Sequence, residues 1–471
     1  MDISDEQFFN YVNNLANLKI SDIFSAKWFD YHKSIVYINA YLHSNKDMLE
    51  IIDDPRINAV VMQFEILLRE LITFYFIRFL KSDENKKCNN VLSLQENTSE
   101  NEFKSTKKNY DSNNFNEITN YIAFYHEMII LNIFELILFS EYVYDKIDSY
   151  IINLFAYIYT NLVSFLKTNS SEYFSKPMKE LSISELLKEE NDKTHNIDKL
   201  KIYVNIINTL RNLTDRIHLL NNTVVNKIVD YDILLIIVHL MEKKPWKHNN
   251  YIFENNEWVK NEDNILATTE KQLWLILYTL ILNRTCQEKY EMTNYRRNNI
   301  LKLRKYMNEN LYEQLPPLKT LHTFIEHLYI SKSVFPENKS SYLIIDMVPE
   351  IFDEIKNYIF TNKEQVLDWL KNVTIGREVL GSISDVYLSI YEFNQQICKN
   401  NSCLTKENTI LNKNSKEDSK KKNTQNESYL CNNCKEEAEL QCSQCKQVYY
   451  CSKDCQMKDW FNHRKVCSSA I

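Results

Sequence analysis

Residues 431–467 read CNNCKEEAELQCSQCKQVYYCSKDCQMKDWFNHRKVC, and their spacing, C-x2-C-x7-C-x2-C-x5-C-x3-C-x7-H-x3-C, decides the C-terminal fold. The candidate ligands are Cys431, Cys434, Cys442, Cys445, Cys451, Cys455, His463 and Cys467. Structural zinc takes four Cys or His ligands, and a C-x2-C turn sets two thiolates on one ion, so this stretch predicts two structural zinc ions. Two filled tetrahedra leave no open position for a catalytic water. Leu430, Leu440, Val448 and Val466 are too few to hold so small a module, so metal binding is expected to supply most of its folding free energy. Spacing alone leaves open whether successive cysteine pairs share an ion or interleave.

Upstream of this tail no chemistry is written locally. Of 471 residues only Gly376 and Gly381 are glycine. Hairpins, sandwiches and phosphate-cradling loops draw on glycine for positive φ, so the body is expected to be all-α. Apolar spacing agrees. Leu318, Leu321, Ile325 and Leu328 step by three and four, as do Ile300, Leu303, Met307 and Leu311, with Pro316-Pro317 as the break between the two helices. Val224–Met241 and Leu273–Leu282 are apolar on nearly every side, and each predicts one central helix. Successive helices with short connections imply a stacked α-solenoid, although no clean repeat of about 34 or 40 residues is visible. The exception is residues 245–264, where Trp246, Phe253 and Trp258 sit among polar residues and predict a hairpin or a packed loop.

Two stretches rich in Asn, Lys, Ser and Glu, residues 82–117 and 399–428, bury too little to order themselves. They predict a disordered insert inside a helical body spanning 1–398, then a flexible tether before a finger at 429–471. The net charge of -7, with both signs interspersed, lacks the basic field that nucleic acid requires. The acidic start at Met1–Glu6 carries no signal pattern, and apolar stretches such as Ile129–Phe139 are too short to span a bilayer, so a soluble, non-secreted protein is expected. Most of the cysteines belong to the terminal cluster, which suits a reducing compartment where clustered thiols hold metal.

The tail resembles the MYND zinc finger along its whole length. That resemblance implies interleaved ligation, with Cys431, Cys434, Cys451 and Cys455 on one ion and Cys442, Cys445, His463 and Cys467 on the other. MYND fingers are interaction modules, and those that take proline-containing peptides are similar to this one at three contact positions, Ser443, Gln456 and Trp460. An exposed indole offers an apolar platform, and a strand edge near Val448–Tyr450 can add an extended peptide through main-chain hydrogen bonds. The competing reading is that Trp460 packs over the second zinc. Ser452 suits an N-cap for a short helix through Cys455 and Trp460.

The body decides which MYND protein this resembles. Lys302-Leu303-Arg304-Lys305-Tyr306, Glu313-Gln314-Leu315-Pro316, Leu318–Leu328 and Met347-Val348-Pro349-Glu350-Ile351 resemble, in order, the family of MYND-domain-containing protein 10. So do Trp28 with His32, His126-Glu127 with Asn132 and Glu135, Lys244-Pro245-Trp246 with Trp258, and Trp274–Leu282. The resemblance implies an armadillo-like body and a non-enzymatic, co-chaperone-like factor for cytoplasmic pre-assembly of axonemal dynein arms, near centriolar satellites or basal bodies. Implied partners are a leucine-rich-repeat dynein assembly factor, an immunophilin, heat-shock chaperones and dynein chains. From physics alone, a glycine-poor helical array offers a long surface without built-in reaction chemistry.

Two rival functions share the finger. A lysine methyltransferase of the SET type needs glycine-rich cofactor turns, which two glycines do not supply. A transcriptional corepressor or adaptor binding proline-containing peptides shares the finger but not the body. His126-Glu127 begins like a metalloprotease helix, yet Ile130 stands where the second histidine belongs, so the pair reads as a surface or helix-packing feature. His218, His239, His322 and His327 read as satisfied core or surface residues, and Lys420-Lys421-Lys422 as a solvated run.

Overall fold

Polar caps start the helices where the apolar periodicity begins. The Ser4 hydroxyl accepts from the Gln7 N–H while Gln7 Oε1 accepts from the Ser4 N–H, a reciprocal box that opens α1 (Asp5–Asn13). Ser25 caps α2 (Ala26–Ser44), and Asp54 with Pro55 opens α3 (Pro55–Met62), which leads into α4 (Phe64–Gln95). Next come α5 (Tyr110–Ile137), α6 (Val143–Leu166), α7 (Lys193–Asp215), α8 (Asn222–Asp230) and α9 (Ile233–Lys243). After a small sheet follow α10 (Thr268–Leu282), α11 (Arg284–Lys289), α12 (Asn294–Leu301), α13 (Glu309–Gln314), α14 (Leu318–Ile330), α15 (Glu350–Thr361) and α16 (Lys363–Asn372). A last helix covers 378–389. The computed structural model describes residues 3–46, 51–95, 110–174, 193–262, 264–330, 347–372 and 378–389, and in the tail 434, 440–441, 448–451, 455–456, 459 and 463. The chain divides into two compact units, Met1–Phe393 and Asn394–Ile471.

The first unit is all-α apart from its small sheet. One row of helices runs α2, α5, α7, α10 and α14, each packed on the next, and a second row runs α4, α6, α9 and α12. The rows join through α4 on α5, α6 on α7 and α9 on α10, and α15 lies across α4 and α6. Rows that advance in chain order suit a stacked array, but helix lengths from 4 residues, at Ser170–Tyr173, to 32 show no fixed repeat among the described residues. Trp28, Trp246, Trp274, Tyr144, Tyr157 and Phe64 are fully buried in the core of this unit. α6 is long and apolar enough to cross a membrane by length and composition, longer than the apolar stretches weighed from the sequence. Its window is mostly buried inside the unit, the environment of a core helix.

Two polar groups sit inside this core. The Arg78 guanidinium donates to both Glu127 oxygens, at 3.0 and 2.7 Å, and to Asn161 Oδ1 at 3.0 Å, while Tyr157 donates to Glu127 Oε1 at 2.7 Å. His126-Glu127 is thus a packing feature of α5. Nearby, His32 Nδ1 lies 2.7 Å from His126 Nδ1, His32 Nε2 lies 2.6 Å from the Tyr387 hydroxyl, and Trp28 Nε1 donates to Glu70 at 2.8 Å. His126 Nε2 is 3.3 Å from Glu70 Oε1 but off-line for a hydrogen bond. A neutral His32 with its proton on Nδ1 suits its neighbours: His32 donates to His126 Nδ1, and Tyr387 donates to His32 Nε2.

The buried, neutral His32 predicts a pH dependence. Burial first, then His126 and Lys33, holds the His32 imidazole well below its ordinary range. The unfolded chain therefore takes up a proton near pH 6.5 that the folded chain refuses, so stability falls as pH drops below about 6.5, by up to about 1.4 kcal/mol per unit. His43, pushed down to about 4 mainly by burial, adds a slope of the same sign. Urea midpoints measured above and below pH 6.5 are expected to converge in His32→Phe relative to the wild type; parallel slopes would contradict this account.

Three expectations are corrected, and a fourth lies outside the described residues. The stretch 82–117 is helical through Gln95 and again from Tyr110, and only residues 96–109 lie outside the described residues. No glycine or proline occurs there to end a helix, and Glu, Lys, Leu and Gln favour one. The tether at 399–428 also lies outside the described residues. Val224–Met241 is two helices, because Asp232 adopts φ 53° between α8 and α9. Its carboxylate is held there by Tyr290 at 2.6 Å and Arg296 at 2.7 Å. Ile300, Leu303, Met307 and Leu311 span α12, a 3-10 turn and α13, although Ile300, Leu303 and Leu311 are still buried.

Residues 245–264 do form a hairpin, extended to a meander: β1 (Lys247–His248), β2 (Tyr251–Glu254) and β3 (Glu257–Lys260), all antiparallel. Asn255 and Asn256, at φ 49° and 66°, make the β2–β3 turn that usually recruits glycine, since asparagine tolerates the left-handed region. Glycine poverty therefore did not exclude a hairpin. Trp246, Phe253 and Trp258 are buried, and the Trp258 indole donates to the Tyr173 carbonyl at 2.9 Å.

Candidate metal centre

The finger is organised by a short sheet and one buried tyrosine. β4 (Leu440–Gln441) pairs antiparallel with β5 (Tyr449–Tyr450), in register Leu440 with Tyr450 and Gln441 with Tyr449. Cys451 follows β5 directly, and Cys455 opens a helical turn with Gln456. Tyr450 is fully buried, donates its hydroxyl to Asp459 Oδ2 at 2.8 Å, and packs edge-on to His463, ring centres 6.2 Å apart. Leu440, counted from the sequence among the finger's core, is 42% exposed. The anchor that the sequence reading missed is Tyr450, whose signal is an aromatic placed immediately before a cysteine ligand.

Three sulfurs come together around this sheet. Cys434 Sγ lies 3.4 Å from Cys451 Sγ and 3.8 Å from Cys455 Sγ, and Cys451 and Cys455 are 3.5 Å apart. These separations are far too long for disulfides. A metal about 2.3 Å from each sulfur in a tetrahedron sets S···S separations of about 3.8 Å, so the trio fits a thiolate zinc site. It joins residues 17 and 21 positions apart, as an interleaved arrangement requires, and a sequential one would instead pair Cys434 with Cys442 and Cys445.

Of the other ligand candidates, His463 is described and buried, while Cys431, Cys442, Cys445 and Cys467 lie outside the described residues. So do Ser443, Ser452 and Trp460. Gln456 is described and half-buried beside Cys455.

The family model described as "MYND finger" matches residues 431–467. Zinc finger MYND domain-containing protein 10 homolog of Drosophila melanogaster is 21% identical over 477 residues, covering 99% of this chain and 98% of that protein. Tudor domain-containing protein 1 of Danio rerio is 48% identical, but over 42 residues, 9% of this chain and 4% of that protein. Its mouse counterpart is 50% identical over 40 residues, 8% of this chain. No solved structure matches. The Tudor proteins share a finger-sized stretch, whereas the Drosophila protein is matched through the helical unit as well. Residues 431–467 of this chain match the MYND finger, three of its cysteines cluster as a thiolate zinc site requires, and the chain resembles zinc finger MYND domain-containing protein 10 from end to end.

Proposed function

We propose that this chain is a non-enzymatic scaffold for cytoplasmic pre-assembly of axonemal dynein arms. The observation that carries the reading is similarity over 99% of the chain, body and finger together, to one relative. In this reading the finger holds two structural zinc ions, Cys431, Cys434, Cys451 and Cys455 on one and Cys442, Cys445, His463 and Cys467 on the other. It docks a leucine-rich-repeat assembly factor, while immunophilin and heat-shock chaperones act with the helical body on dynein chains. The work is done near centriolar satellites or basal bodies. Deleting the gene and imaging axonemes in cross-section tests this: missing outer or inner arms are expected, and complete arms with normal spacing would refute it. A corepressor role shares the finger alone, and nuclear localisation of the tagged chain would favour it.

Within that reading Ser443, Gln456 and Trp460 form the peptide contact. Trp460→Ala is expected to leave zinc content unchanged and to weaken partner capture roughly tenfold, about 1.4 kcal/mol, as interface tryptophans generally do. Unchanged affinity in a pull-down titration would instead place the indole over the second zinc.

A further inference from the structure

Cys451 follows β5 and Cys455 opens a helical turn, so the 3.5 Å between their sulfurs depends on the angle at which the strand hands over to the helix. A strand of two described residues does not fix that angle by itself. Tyr450 reaches across the joint. Its ring is fully buried, with Cys451 and Cys455 packed against it. Its hydroxyl donates at 2.8 Å to Oδ2 of Asp459, which stands four positions beyond Cys455 and is likewise helical. The ring also lies edge-on to His463, so one side chain touches the strand, the helix and the histidine.

A phenylalanine would satisfy the apolar part of this contact. The hydroxyl adds something different: once buried it needs an acceptor, and a carboxylate makes that bond both strong and directional. A thiolate site holds zinc only when every sulfur comes within about 2.3 Å of the ion. Groups that orient metal ligands therefore change metal affinity by about 10- to 100-fold when they are removed.

We propose that the Tyr450–Asp459 hydrogen bond positions the metal ligands: it locks β5 to the helix that follows and so holds the Cys451 and Cys455 sulfurs near the separation that one zinc ion requires. Both are positioning residues, acting through the cysteines. The inference rests on the assignment of Cys431, Cys434, Cys451 and Cys455 to one ion.

Zinc release from the full-length protein into a chromogenic chelator tests this. Cobalt-substituted protein assigns each phase, since a four-thiolate cobalt site absorbs at longer wavelength than one that includes imidazole. Tyr450→Phe, which keeps the buried ring, and Asp459→Ala are each expected to lose the four-thiolate ion about tenfold faster than the wild type. The double variant is expected to be no faster than either single one, because both remove the same bond. Asp459→Asn keeps an acceptor oxygen and is expected to stay close to the wild-type rate. Tyr450→Phe alone decides if Asp459→Ala misfolds. Release at the wild-type rate by Tyr450→Phe, equal release by Asp459→Asn and Asp459→Ala, or single effects that multiply in the double variant would overturn the proposal and leave the zinc assignment standing. A wild type that holds no metal at this site would overturn both.

Discussion

Cys451→Ser is expected to release zinc and unfold the finger while the helical unit keeps its structure. Cys451 sits beside Cys434 and Cys455, at 3.4 and 3.5 Å, so its loss leaves three of the four proposed thiolates where a structural zinc needs four ligands. Metal binding in zinc-finger peptides contributes about 10–16 kcal/mol at neutral pH. Against that, burying Tyr450 contributes about 2–3 kcal/mol, and the described part of the sheet has two residues per strand. The metal thus decides whether the finger exists. Zinc release measured with a chromogenic chelator, together with limited proteolysis, reads the effect: the variant should lose bound metal and its tail should be cleaved rapidly. Its far-UV spectrum, dominated by the helical unit, should hardly change. Full zinc retention in the variant would sink the assignment of Cys451, and a lowered melting temperature of the body would sink the independence of the two units.

Arg78→Met is expected to destabilise the helical unit by about 3–5 kcal/mol, because it leaves the Glu127 carboxylate, 1% exposed, without its cation. Tyr157 would remain as the donor to Glu127, and one hydroxyl does not compensate a buried charge. Asn161 Oδ1 also loses the donor it takes from Arg78. The double variant Arg78→Met with Glu127→Leu should recover much of the loss, since apolar replacement of an entire buried pair is often nearly neutral. Urea unfolding of the three proteins completes the cycle. A single-variant cost below about 1 kcal/mol, in the range of an ordinary surface substitution, would mean that the pair is hydrated rather than buried.

Much of the molecule could be read before any coordinates. The eight-ligand spacing carries its own chemistry, because soft ligands on one metal must be close in space whatever surrounds them. Leu318, Leu321, Ile325 and Leu328 form the buried stripe of α14 as their spacing demands, and the break at Pro316-Pro317 falls where proline removes a backbone donor. Trp246, Phe253 and Trp258 became the buried anchors of a sheet, and of the two readings open for His126-Glu127, surface or helix packing, burial selects packing.

Other features needed three dimensions. Asp232 interrupts an apolar run in the left-handed conformation, and the groups that hold its carboxylate there, Tyr290 and Arg296, lie some sixty positions away. Asn255 and Asn256 took over a turn for which glycine was the expected residue. The His32–His126 pair and the Arg78–Glu127 pair each assemble residues from separate helices. Periodicity and ligand spacing are properties of neighbours along the chain, so they survive without a fold. Burial of a charge or a donor depends on which distant helix lies alongside, and that is settled only when the rows pack.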